Sequence, residues 1–268
     1  MSERNGYQHG VPCWVDTWQP DVERAVAFYT GLFGWDAEET SRPGAERRHF
    51  MCTMRGRRVT GIGSPPPVPG HAPVWGTYVW VDDVDETVAK AREAGGNVVM
   101  KPFDALDGGR IALLSDPTGG VIAAWQAGDS NGAQIVNEPG AWSMSFLHTR
   151  DLDAARAFYA AVFGWTYESF ASMTMACVPG YMGGVPEQPV SRETAAVLTD
   201  MTGLPDDVPP HWRVDFWVAD LDAALARATE LGGSVVSPPT ETPGFRSGVI
   251  ADPQGAVLTL SQLTGRSA

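Results

Sequence analysis

Cysteine is scarce in this chain of 268 residues: Cys13, Cys52 and Cys177 are an odd number with no paired spacing. Neither a disulfide framework nor a zinc knuckle follows from them. No apolar run approaches the roughly 20 residues that a membrane-spanning helix needs. The opening MSERNGYQHG is polar and unlike a secretory signal, so a cytoplasmic protein is expected. Basic residues are also in short supply, 19 Lys and Arg against 32 Asp and Glu, for a formal charge of −13. Nucleic acids and anionic membranes bind through phosphate neutralisation, so neither is expected as a partner. No glycine-rich phosphate loop, GxSxG elbow or HExxH pair occurs, which removes the common nucleotide, esterase and metalloprotease signatures. The five histidines are scattered, with His9 in the N-terminal stretch, His49 before a strand, His71 and His211 in proline-rich loops, and His148 alone on a strand at inward parity.

What the chain does have is repetition. DVERAVAFYTGLFGW at 21–35 returns as DLDAARAFYAAVFGW at 151–165. Each copy begins with an Asp able to cap a helix, continues with apolar residues at helical spacing, and reaches a Gly suited to a left-handed C-terminal residue. The bulky stripe of Phe28, Tyr29 and Phe33, matched by Phe158, Tyr159 and Phe163, is expected to be core. A second duplication pairs VDDVDETVAKAREAGGNVVMKP at 81–102 with VADLDAALARATELGGSVVSPP at 218–239, and DPTGGVIAAWQ at 116–126 with DPQGAVLTLSQ at 252–262. Each reads as strand, Asp-capped helix ending in Gly-Gly, strand, Asp-Pro turn, strand.

The pattern is therefore four βαβββ modules in an α+β protein of two tandem domains, expected at 8–127 and 141–263 with a polar linker at 128–140. Proline-rich connectors at 64–73 and 203–211 separate the modules inside each half, because proline lacks the N–H a central strand requires.

Tandem βαβββ modules carrying DxxxAxxFYxxxFGW, then VDDVDxTVxxAxxxGG and a DPxGxxxxxxQ ending, resemble the vicinal oxygen chelate superfamily of glyoxalase I, bleomycin-resistance proteins, fosfomycin-resistance enzymes and extradiol dioxygenases. The chain also resembles two-domain actinobacterial proteins labelled hydroxylase or glyoxalase-like. The resemblance implies that paired modules form a cup-shaped mixed sheet with helices outside, one cup per domain. It also implies a divalent metal held by His, Gln or Glu at matching strand positions. Counting along this chain to those positions reaches Trp14, Gly76 and Ala123 in the first domain and Met144, Arg213 and Thr259 in the second. None is an ordinary ligand for a hard or borderline divalent ion. Both cups are expected to be metal-free and without a cofactor.

Alternate residues of a strand face one side of the sheet. By that parity the first cup presents Trp14, Asp16, Trp18, Tyr78, Trp80 and Trp125, and the second Met144, Phe146, His148, Arg213, Asp215 and Trp217. Aromatic walls with a few polar groups suit a flat organic ligand, and a cationic one gains from Asp16 or Asp215. The expectation is a small-molecule binding protein that sequesters a hydrophobic or aromatic natural product in a resistance or carrier role, the first cup being the better suited. The alternative is a metal-independent isomerase, cyclase or lyase of secondary metabolism, with His148, Arg213 and Asp215 as base, clamp and orienting carboxylate. Arg213 and Asp215 can equally be a buried ion pair, and a metal-dependent glyoxalase or dioxygenase lacks its ligands. Monomer and homodimer are both compatible with the duplication.

Overall fold

A computed structural model of the chain describes residues 3–65, 72–105 and 108–265; His71 and most of the first proline-rich connector lie outside them. The first half of the chain runs β1 (Pro12–Trp18), α1 (Val22–Phe33), β2 (Asp36–Glu39), β3 (His49–Met54), β4 (Arg57–Gly63), β5 (Val74–Trp80), α2 (Val84–Glu93), β6 (Asn97–Ala105), β7 (Gly109–Ser115) and β8 (Val121–Ala127). The second half runs β9 (Trp142–Thr149), α3 (Leu152–Phe163), β10 (Thr166–Phe170), β11 (Met173–Cys177), β12 (Thr194–Asp200), β13 (His211–Trp217), α4 (Leu221–Glu230), β14 (Ser234–Thr242), β15 (Phe245–Ala251) and β16 (Val257–Leu263). Each half forms one 8-stranded mixed sheet, in the orders β2-β3-β4-β1-β5-β8-β7-β6 and β10-β11-β12-β9-β13-β16-β15-β14. The two modules of each sheet meet at its centre, where β1 lies antiparallel to β5 and β9 to β13. The four-module α+β architecture read from the repeats is the architecture observed.

The helix signals act as chemistry requires. The carboxylates of Asp21 and Asp151 accept from the N–H groups of Arg24 at 3.0 Å and Ala154 at 2.9 Å, satisfying donors the first turn leaves open. Gly34 and Gly164 both turn left-handed at φ 73°, which a residue with a Cβ resists. The Gly-Gly pairs divide their work. Gly95 and Gly232 take φ of 84° and 89°. Gly96 and Gly233 instead make room: a Cβ on them would lie 2.4 Å from the ring of Phe158 and 3.0 Å from that of Phe28. Those rings belong to the opposite domain, so the second glycine of each pair is an interdomain contact.

The two halves bury their helix-bearing faces against each other with reciprocal bonds. The hydroxyl of Tyr29 donates to Asp252 Oδ2 at 2.8 Å and accepts from Trp75 Nε1 at 2.9 Å. In the other direction Tyr159 donates to Asp116 Oδ2 at 2.7 Å and accepts from Trp212 Nε1 at 2.9 Å. Each aspartate meanwhile uses Oδ1 to close its own Asp-Pro turn, taking the N–H groups of Gln254 and Ala256, or of Thr118, Gly119 and Gly120. Trp35 Nε1 donates to Gly140 O and Trp165 Nε1 to Gly10 O. One shared core joins Tyr29, Phe33, Trp35 and Trp75 to Phe216, with ring centroids 4.9 Å apart for Phe33 and Phe216 and 5.1 Å for Trp75 and Phe216.

Residues 128–140, read as a linker, are docked. Ala133, Ile135 and Val136 are buried, and the Ala133 and Gln134 N–H groups reach Cys13 O and Arg58 O at 2.8 and 2.7 Å. The three cysteines are buried and free. Among the described residues no helix is long and apolar enough to cross a membrane.

Because both tyrosine hydroxyls lie in shared cores, Tyr29→Phe and Tyr159→Phe should each cost about 1–3 kcal/mol, the penalty of a buried carboxylate losing a donor. The double variant should lose about the sum, since the two sites are separate. Urea unfolding monitored by tryptophan emission checks this; single variants as stable as the parent would show that the domains do not depend on these bonds.

Candidate functional site

With the helix-bearing faces committed to the interface, the other face of each sheet is free. In the second domain it forms a cleft of about 630 Å³, counting its open mouth. Its floor is Met144 and Phe146 from β9 with Asp215 and Trp217 from β13. Its walls come from outer strands that curl round: Phe170 of β10, Met173 and Met175 of β11 and Val197 of β12 on one side, Phe245 and Ser247 of β15 and Ser261 of β16 on the other. Thioethers and aromatic rings make a surface that adapts to flat apolar bodies.

Asp215 is the polar feature of this floor. It is 2 % exposed; Ser143 Oγ donates to Oδ2 at 2.7 Å and Ser261 Oγ to Oδ1 at 2.6 Å. Burial raises its pKa to about 7, the two hydroxyls and Arg213 opposing that rise only partly. The group is poised near neutrality in an apolar cleft, as proton transfer requires.

His148 and Arg213 do not join Asp215. His148 lies one inward position beyond Phe146, its Nδ1 2.9 Å from Thr199 Oγ1 and its ring stacked on His211 at 4.9 Å. Burial, then Arg213 and His211, drive its pKa down to about 3. Arg213 stands opposite Phe146 across the β9–β13 ladder. Among the described residues it forms no ion pair, so the Arg213–Asp215 salt bridge considered from the sequence is not made. The carboxylate turns to two serines instead. Asp215, Met144, Phe146 and Trp217 line the cleft, whereas His148 and Arg213 share that face of the sheet and stand outside the lining.

The first cup is filled from within. Trp14, Tyr78 and Trp80 pack around Trp125 with centroids 6.4, 6.3 and 6.4 Å away. Trp125 Nε1 donates to Gly108 O at 2.9 Å. Trp18 Nε1 and Tyr78 OH donate to the two oxygens of Asp16 at 3.1 and 2.8 Å. Gly61 leaves space that the imidazole of His49 occupies, against Trp14. The six residues assigned to this cup share its concave face, where four of the rings pack together and Trp18 and Tyr78 bond to Asp16.

The register also refines the central row. Trp14 faces Tyr78, and Tyr78 faces Ala123; Met144 faces Asp215, and Asp215 faces Thr259. Counting had reached Gly76 and Arg213, two residues short on the same face. The corrected rows hold one carboxylate between them, and it is engaged by serines. These residues do not fit a hard divalent ion, which wants several carboxylate or imidazole donors. Among the described residues no group of three His, Cys, Asp or Glu comes together elsewhere.

Sequence reasoning missed the cleft walls. The alternation of Met173 and Met175 on β11, and of Phe245 and Ser247 on β15, was there to be read, but the wall depends on how far the sheet curls.

A model described as "Glyoxalase/Bleomycin resistance protein/Dioxygenase superfamily" matches residues 14–124, and one for a glyoxalase-like domain matches 144–261. CFP32 of Mycobacterium tuberculosis, provisionally named a glyoxylase, is 38% identical over 97% of both chains. DnrV of Streptomyces peucetius, named an anthracycline biosynthesis protein, is 35% identical over 95% of this chain and 94% of its own. Among solved structures, the Mn(II)-bound glyoxalase of Novosphingobium aromaticivorans superposes with a TM-score of 0.64 at 15% identity, over 97% of this chain and 84% of that one. The 2,2',3-trihydroxybiphenyl 1,2-dioxygenase of Sphingomonas wittichii gives 0.62 at 14%, over 97% and 92%. At such identities these two share the fold.

Asp215 and Asp16, whose pKa burial likewise raises to about 7, hold protons in the folded state that the unfolded chain has released. Their contribution to stability is complete below about pH 4 and is lost as pH rises to about 7. Asp215→Asn should therefore gain on the parent protein across that window, the difference levelling off above it. Denaturant titrations at pH 4 to 8 measure this; a parallel pair of stability curves would place Asp215 in a wetter, ordinary environment.

Proposed function

We propose that this chain, which belongs to the glyoxalase/bleomycin resistance/dioxygenase superfamily, binds a planar, largely apolar natural product in the cleft of its second domain without a metal ion. The observation that carries this reading is the cleft itself: Phe146, Phe170, Trp217 and Phe245 with three methionines around one buried acid. Stacking and offset edge contacts hold a flat ring system there, and thioethers take up differences in outline. The name of DnrV, in anthracycline biosynthesis, agrees with a polyaromatic ligand of secondary metabolism. Sequestration or carriage needs only reversible burial, and the first domain serves as the filled, rigid partner that backs the second.

A second reading has one observation in its favour. Asp215, near neutrality beneath the ligand, is suited to move a proton in a metal-independent isomerisation, cyclisation or elimination. Conversion of bound ligand by the parent protein and its loss in Asp215→Asn would support catalysis; unchanged ligand recovered from both supports binding.

A panel of polycyclic quinones and phenols, headed by anthraquinone, should raise the thermal midpoint and quench tryptophan emission. Trp217→Phe should remove most of the quenching while leaving the thermal shift largely in place. Quenching untouched in Trp217→Phe, together with no midpoint shift for any member, would sink the assignment of this cleft.

A further inference from the structure

Among the described residues, three polar side-chain atoms on the concave face of the second sheet are buried without a partner. Nε2 of His148, Nε of Arg213 and Oγ1 of Thr259 are buried without a hydrogen bond. All three side chains share the concave face. Arg213 is directly across from Phe146 and two residues from Asp215, both in the cleft lining, and Thr259 is the cross-strand neighbour of Asp215. Native proteins rarely leave such groups unpaired, because each costs the full desolvation of a donor or acceptor. Arg213 is half-buried with its Nε out of water, and burial lowers its pKa with only the attraction of Asp215 opposing it. Thr259 lies beside Asp215, Arg213 beside Phe146 and His148 one inward position further on, so the three unpaired atoms border a largely apolar cleft along one face of the sheet, as a place prepared for a charged group brought by something else would.

We infer that the occupant of the second cup carries an anionic oxygen, a carboxylate or equivalent, which pairs with Arg213 while its planar body lies on Phe146 and Trp217. The inference rests on the cleft being the binding site. It reverses the expectation of a cationic ligand drawn from Asp215, whose two oxygens already accept from Ser143 and Ser261. A guanidinium offers paired donors matched to a carboxylate's two oxygens. The formal charge of −13 works against anions at long range, so selection for one has to come from contact at Arg213 and not from steering.

The test uses two probes of one shape, anthraquinone-2-carboxylate and anthraquinone-2-carboxamide, titrated by calorimetry into the full chain and into Arg213→Gln. The parent should bind the carboxylate about tenfold or more tightly than the amide, the scale of one hydrogen-bonded charge. Arg213→Gln should abolish that preference and leave the amide's affinity where it was. Equal binding of the two probes by the parent, or a preference that survives in Arg213→Gln, overturns the anion site and leaves the planar-ligand reading standing. Binding of neither probe at millimolar concentration overturns both. A further readout separates recognition from structure: having no partner to lose, Arg213→Gln should keep or raise the ligand-free thermal midpoint. A clear fall would mark the arginine as structural and remove the inference.

Discussion

A tyrosine hydroxyl given to an aspartate of the other domain is the contact on which this molecule turns. Tyr29 and Tyr159 come from the most visible repeat, Asp252 and Asp116 from the Asp-Pro turns of the other repeat, and the two bonds are made reciprocally. Each aspartate is divided, one oxygen holding its turn and the other holding the opposite helix. The turn and the interface thus cannot be separated, and neither domain can present its helix-bearing face to water without exposing Phe28, Trp35 or Trp165 as well. What remains free is the opposite face of each sheet. The location of any ligand site follows from this commitment before a single site residue is considered.

Given one scaffold twice, the two free faces have been finished in different ways. In the first, Trp14 and Tyr78 take the central positions, and a large rigid ring either meets a neighbour or leaves a void; these two and Trp80 pack around Trp125. In the second, the same positions carry Met144 and Asp215, too slender to bridge the curl of the sheet, so the concavity stays open between Met175 on one wall and Phe245 on the other. The asymmetry is one of side-chain volume at equivalent points, with the backbone ladder kept.

How much of this was legible in the sequence depends on the range of the interaction concerned. Helix starts, left-handed glycines and inward parity are local, and Asp21, Gly34 and the face shared by Arg213, Asp215 and Trp217 read correctly because one residue and its near neighbours decide them. Gly96 and Gly233 were visible as a motif, but their reason lies in Phe158 and Phe28, rings from the other half of the chain. Tyr29 read simply as core, and nothing within its own helix names Asp252 as its partner. The central row was two residues out because counting from helix motifs fixes the face of a strand but not its alignment with the next. The sequence reading expected a cup in each domain and judged the first the better suited, because tryptophans facing inward are the material of a binding wall and of a packed core alike, and only the distances between rings separate them.

The second cup also shows why an unpaired group is informative in a protein otherwise careful of its hydrogen bonds. Asp16, Asp116, Asp215 and Asp252 are all buried, and each is engaged by at least two donors. Among the described residues six buried side-chain polar atoms lack a partner, and three of them, on His148, Arg213 and Thr259, share the concave face of the second sheet. A sequence under selection for stability alone would meet a half-buried guanidinium whose Nε is out of water with a carboxylate, or replace it with an apolar residue of similar volume. Asp215 stands on the same strand, two residues away, and is tied to serines on the far side. The strand therefore keeps an acid in the floor of the cleft and a base two residues along on the same face without pairing them, which gives the floor a direction. A ligand lying along it is oriented before any chemistry, and orientation of that kind is useful to a carrier and to an enzyme alike.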